Sequence, residues 1–172
     1  EFYFIEVNAR IQVEHPVSEL ISRRDLVAMQ LQLAGGEPLT LQQSDILLHG
    51  HAIECRVNAE DPDNGFRPNP GRITVFDPPH MDFVRLDTFC REGAVIPPYY
   101  DSMIGKLIVY GNDRDEALAR MEAAMGCFRL EGVTSNMALQ HFIIAHDDFR
   151  NNRITTRWLE QTGLPAFANR EE

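Results

Sequence analysis

Residues 2–8 alternate between apolar and polar positions. Tyr3, Ile5 and Val7 fall on one side of an extended segment, and Phe4, Glu6 and Asn8 on the other. That two-residue period predicts a β-strand. The uniformly apolar side reads as core, and the polar end of the other side faces whatever the sheet covers. The alternation then lapses, and residues 9–17 read as a loop closed by His15-Pro16. Asp25 is placed to cap a helix through residues 26–33, which Gly35-Gly36 would stop.

A polar, turn-rich stretch at residues 37–45 separates this part from one of different texture, and it is the expected domain boundary. Strands are predicted at 51–57, 72–76, 83–86 and 106–110. Asp61-Pro62-Asp63-Asn64-Gly65 and Pro68-Asn69-Pro70-Gly71 supply turns between the first two. Asp113 with Glu116 has capping-box spacing for a helix to about Arg129, with Leu118, Met121, Met125 and Phe128 on one stripe. Thr134 or Ser135 starts another through Leu139, Phe142 and Ile143. The class is α+β, a strand-rich body with helices added late. The chain opens at Glu1 without Met, inside a predicted strand, so a piece of a longer polypeptide is expected.

Composition narrows the function. At 44% hydrophobic and 24% charged residues, the chain can bury a core and is not a disordered segment. A net charge of -10 argues against a nucleic-acid partner. No apolar run nears the roughly 20 residues that span a bilayer, so no membrane partner is expected. Cys55, Cys90 and Cys127 are widely spaced and form no CxxC pair. They read as packing thiols of a reduced compartment, cytoplasmic or, in a eukaryote, mitochondrial.

The chemistry concentrates in Glu6-Val7-Asn8-Ala9-Arg10-Ile11-Gln12-Val13-Glu14-His15-Pro16. Glu6 and Asn8 put a carboxylate and an amide oxygen on one face, the hard donors that Mg²⁺ or Mn²⁺ takes. Arg10 brings a planar fork that suits a planar oxyanion. Glu14 is a carboxylate within reach of the same loop, a candidate general base. Each residue alone reads as a solvated face; the run as a whole does not.

That run resembles the ATP-grasp ligases, and its continuation Arg-Ile-Gln-Val-Glu-His-Pro is similar to the biotin carboxylase branch. Carbamoyl phosphate synthetase and the D-alanine ligases share Glu-x-Asn but continue differently. Three further stretches match in the family's order: residues 50–62, with Glu54-Cys55-Arg56; residues 97–107, with Tyr99-Tyr100-Asp101-Ser102; and, more loosely, Gly132-Val133-Thr134-Ser135-Asn136. The resemblance implies the end of an ATP-grasp domain at 1–48, the biotin carboxylase C-terminal domain at 49–160, and a tail or linker at 161–172.

By the same resemblance, Glu6 and Asn8 help hold the divalent cations on ATP. Arg10, with Gln12 and the Val13 N–H, binds bicarbonate. Glu14 is the catalytic base, and Arg56 meets the ureido oxygen of biotin. ATP, Mg²⁺ or Mn²⁺ and carrier-borne biotin are the implied cofactors and substrates. The implied partners are a biotin carboxyl carrier domain, a carboxyltransferase component and a second copy, since Arg85 lies where bacterial members place a dimer arginine. Thr156 stands where some relatives put an aliphatic residue against adenine, and Trp158 reads as a packing anchor. Lys106 is the only lysine, and no glycine-rich phosphate loop occurs, so the chain by itself is expected to be inactive. Another ATP-grasp ligase, or a non-catalytic folding or dimerisation module, are the competing expectations.

Overall fold

The computed structural model describes residues 2–170; Glu1, Glu171 and Glu172 lie outside them. Residues 2–8 form no strand, and Tyr3, Ile5 and Val7, expected in the core, are largely exposed. A strand's ladder hydrogen bonds belong half to a neighbour, and none of the described residues supplies one here, so alternation alone does not make a strand. The predicted loop at 9–17 is also cut short. Helix α1 (His15–Ser22) has Pro16 in its first turn. The N–H that proline lacks is one a helix start leaves unused, so His15-Pro16 opens a helix rather than closing a loop.

Helix α2 (Leu26–Ala34) follows the pattern read from its caps: Asp25 Oδ1 accepts from Ala28 N at 2.8 Å, and Gly36 takes φ 90° beyond the end. None of its residues is buried. After residues 37–50 come β1 (His51–Asn58), β2 (Glu60–Asp61), β3 (Arg67–Pro68), β4 (Gly71–Arg72), β5 (Val75–Asp77), β6 (Val84–Thr88), β7 (Val95–Ile96) and β8 (Met103–Gly111). The strand predicted over 72–76 is thus two strands. Ile73 N–H bonds Ala94 O while Thr74 N–H bonds Glu131 O, so the backbone changes neighbours between them.

Helix α3 (Arg114–Cys127) is capped by Asp113 Oδ1, which accepts from Glu116 N at 2.9 Å. The reciprocal half of the box goes to Asn112 N instead. The helix ends before Arg129 because that residue joins β9 (Arg129–Glu131), paired with β5. Then follow α4 (Met137–Ala145), α5 (Asp147–Arg150), a wide turn at Leu159–Gly163 and α6 (Leu164–Ala168). Helix α4 starts after Asn136 rather than at Thr134 or Ser135. The stretch read as a tail or linker is helical to Ala168, and Phe167 packs its ring edge-on against Phe142 with centroids 5.5 Å apart. Trp158 is buried with its Nε1 donating to Asp148 Oδ2 at 3.0 Å, the expected anchor.

Strands β1, β8 and β6 form one antiparallel sheet with β8 central. Cys55 faces Leu107, which faces Leu86; one residue on, Arg56 faces Lys106, which faces Asp87. Because neighbours point to opposite faces, this register sorts the sheet. Its apolar face packs Leu107, Val109, Cys55 and Val57 into the core with Leu118, Met121 and Met125 of α3. Leu107 is 0% exposed at the centre of that sheet. Leu107→Ala is expected to lower unfolding stability by about 2–5 kcal/mol, read as a lower urea midpoint with unchanged slope.

Candidate functional site

The other face of the sheet carries Glu54 and Arg56 on β1, Lys106 on β8, and Arg85 and Asp87 on β6. Helix α1 and the residues leading into it lie across this face. The lead-in partners Arg56 and Lys106, α1 partners Arg85 through Glu19, and Arg85 and Asp87 pair with each other on β6. Arg56 Nη2 donates to Glu14 Oε2 at 2.8 Å, with the two side chains 51% and 50% exposed. Arg85 donates to Glu19 at 2.7 Å and to both oxygens of Asp87 at 2.8 and 2.9 Å.

The lead-in is fixed at successive carbonyls. Gln12 O accepts the His15 backbone N–H at 3.2 Å and lies 2.8 Å from His15 Nδ1. Val13 O accepts from Lys106 Nζ at 2.9 Å. Glu14 sits at the N-terminal flank of α1 but caps nothing; its side chain turns to Arg56 instead. Its own backbone N–H, then the Arg56 hydrogen bond and the charges of Arg56 and Arg10, hold the Glu14 carboxyl below the usual range, against some desolvation. Arg10, Gln12, Glu14 and His15 line one side of a cleft of about 590 Å³, closed on the other by Leu26, Met29 and Leu33 of α2. Arg56 meets this cleft through Glu14.

Glu6 and Asn8 lie upstream on the exposed segment, Asn8 Nδ2 donating to Glu6 Oε1 at 3.4 Å. Among the described residues no group of three or more His, Cys, Asp or Glu gathers around a metal position. Asn8 turns its amide nitrogen to Glu6 here; a carboxylate and an amide oxygen two residues apart are still donors of the kind that Mg²⁺ or Mn²⁺ takes, commonly one or two from protein with phosphate oxygens completing the shell.

The structure therefore brings Arg10, Gln12 and Glu14 to one cleft, joins Arg56 to it through Glu14 and ties Val13 to the sheet through Lys106, while Glu6 and Asn8 stay on the exposed segment and contact each other. It adds residues that spacing did not single out. Asn136 Nδ2 and Gln140 Nε2 both donate to Arg56 O, and Asn136 Oδ1 accepts from Asn58 N, so β1 is pinned from Arg56 O to Asn58 N. Glu54 is half-buried, but both its carboxylate oxygens are shielded from solvent without a hydrogen bond, and burial pushes its pKa up against the charges of Lys106 and Arg56. Asp101 Oδ1 accepts from Met103 N at 2.7 Å and closes the turn into β8. The signal for Asn136 was its place in the fourth matched stretch; for Lys106, its being the sole lysine.

Two family models match the chain. The biotin carboxylase C-terminal domain covers residues 54–161, and the carbamoyl-phosphate synthase L chain ATP-binding domain covers residues 1–42. The chloroplastic biotin carboxylase of Arabidopsis thaliana is 47% identical over 158 residues, 92% of this chain and 29% of that protein. Biotin carboxylase 1 of Bacillus subtilis is 45% identical over 159 residues, 92% of this chain and 35% of that protein. A crystal structure of the biotin carboxylase domain dimer of Hydrogenobacter thermophilus 2-oxoglutarate carboxylase, with MgADP, ADP and bicarbonate, superposes with a TM-score of 0.94. It is 42% identical, and the match covers 99% of this chain and 37% of that one. The chain thus spans about a third of the length of the curated relatives it matches. Among the described residues no helix is long and apolar enough to cross a membrane.

Proposed function

Because this chain belongs to the biotin carboxylase family, we propose that it supplies the bicarbonate-activating and biotin-facing groups of an enzyme that carboxylates carrier-borne biotin with MgATP. The observation that carries this is the 2.8 Å contact between Arg56 and Glu14, 42 residues apart, which joins the anion-binding loop to the sheet. Residues 1–48 would close an ATP-grasp domain and residues 49–160 form the C-terminal domain, with α6 packed upon it.

In this reading Arg10, the Gln12 side chain and the Val13 N–H hold bicarbonate. Glu14 draws off its proton, so that a bicarbonate oxygen attacks the γ-phosphorus and the bond to ADP breaks. The carboxyphosphate formed splits to CO₂ and phosphate, and that phosphate takes the N1 proton of biotin. Arg56 stabilises the negative charge left on the ureido oxygen while N1 attacks CO₂. A divalent cation held by Glu6 and Asn8 would screen the phosphate charge. A biotin carboxyl carrier domain, a carboxyltransferase component and a second copy of the enzyme are the partners this chemistry calls for, and the cytoplasm, or the mitochondrion of a eukaryote, is the proposed location.

A complete enzyme carrying this chain, given labelled bicarbonate, MgATP and free biotin, is expected to form labelled carboxybiotin with one ADP released per product. The 172-residue chain alone is expected to hydrolyse no ATP, since its one lysine is committed to Val13 and it has no glycine-rich phosphate loop. ATP turnover indifferent to bicarbonate and biotin would sink the assignment.

A further inference from the structure

Lys106 is the chain's only lysine, yet it is 8% exposed, and its ammonium has two partners. One is Asp87 Oδ2 at 3.4 Å and the other Val13 O at 2.9 Å. Asp87 is already satisfied by two hydrogen bonds from Arg85. What Lys106 alone does is hold the Val13 carbonyl, 93 residues away in sequence.

We propose that Lys106 is a positioning residue for bicarbonate activation, acting through the backbone of residues 12–14; this rests on the assignment of that loop made above. The peptide unit is a rigid plane, so fixing a carbonyl oxygen fixes the N–H on its far side. His15 fixes the Gln12 carbonyl and so aims the Val13 N–H. Lys106 fixes the Val13 carbonyl and so aims the Glu14 N–H, the group that contributes most to holding the Glu14 carboxylate ionised. Both planes bear on the anion: one presents a donor, the other orients the base. A charged donor is suited to this task because it holds an acceptor more firmly than a neutral one. Lys106 touches neither bicarbonate nor ATP in this arrangement, so its loss should appear selectively in bicarbonate kinetics.

In a complete enzyme carrying this chain, Lys106→Met is expected to raise the KM for bicarbonate about tenfold or more, while that for MgATP stays within about twofold. Lys106→Gln, whose neutral amide stops one bond short of Val13, is the second variant and should show the same split. Equal changes in both KM values, or none in either, overturn the proposal; so does failure of both variants to fold, which would make Lys106 structural only. If the unsubstituted enzyme shows no bicarbonate-dependent turnover, or Glu14→Gln keeps the full rate, the loop assignment itself is what fails.

Discussion

Glu14→Gln in a complete enzyme is expected to lower kcat by about 10²–10⁴-fold, the range a positioned general base contributes. The substitution keeps size and an acceptor oxygen, so the hydrogen bond from Arg56 survives without the ion pair. Both partners are half exposed, and exposed pairs contribute little to stability, roughly 0–1 kcal/mol, so the folded fraction should hardly change. The pH profile adds a second check. The working form of Glu14 is the carboxylate, complete above its pKa and lost as pH falls through it. Its pKa is lowered by its own N–H, by Arg56 and by Arg10. The acid limb of kcat/KM should therefore lie below the usual carboxylate range and should vanish in Glu14→Gln. Phosphate release at saturating bicarbonate measures the first and its slope at low bicarbonate the second, and a variant within about threefold of the parent rate would remove Glu14 from the chemistry.

Arg56→Met is the second large effect expected, about 10²–10³-fold in kcat, the cost of removing one donor aimed at developing charge. It also takes away the cation beside Glu14, so the surviving activity should show its acid limb shifted to higher pH. A residue serving only the sheet would lower stability without moving that limb. Arg56→Lys should recover little, because an ammonium replaces a planar fork by a point charge. Its backbone is held by Asn136 and Gln140, so the strand should stay in register in both variants. Unchanged kcat with free biotin as acceptor would end the role proposed for Arg56.

Local signals were legible in the sequence where the determinants are local. The Asp25 and Asp113 caps, the Gly36 stop and the Leu118–Met121–Met125–Phe128 stripe depend on residues within a few positions, and each is found. The opening segment was misjudged because strand formation depends on a neighbour that its own alternation cannot report. The 72–76 strand was misjudged for a related reason: its pattern is continuous, but its hydrogen bonds go to two different partners. In the site, the residues of the opening run were recognisable from their order, and Arg56 from its matched stretch. Lys106 and Asn136 act through backbone atoms, Val13 O and Arg56 O. Carbonyls look alike in every residue, so no spacing rule could name their partners.

The uncovered opening segment has one more consequence. Residues 2–7 read Phe-Tyr-Phe-Ile-Glu-Val, with a single charge, no proline and side chains that favour pleated packing. Such a hexamer, left in water, stacks on its own kind or on any free edge it meets, the beginning of a fibril. A preparation of the 172-residue chain, in which it is bare, should scatter light and bind amyloid dyes as it ages, sooner than one carrying Phe4→Lys.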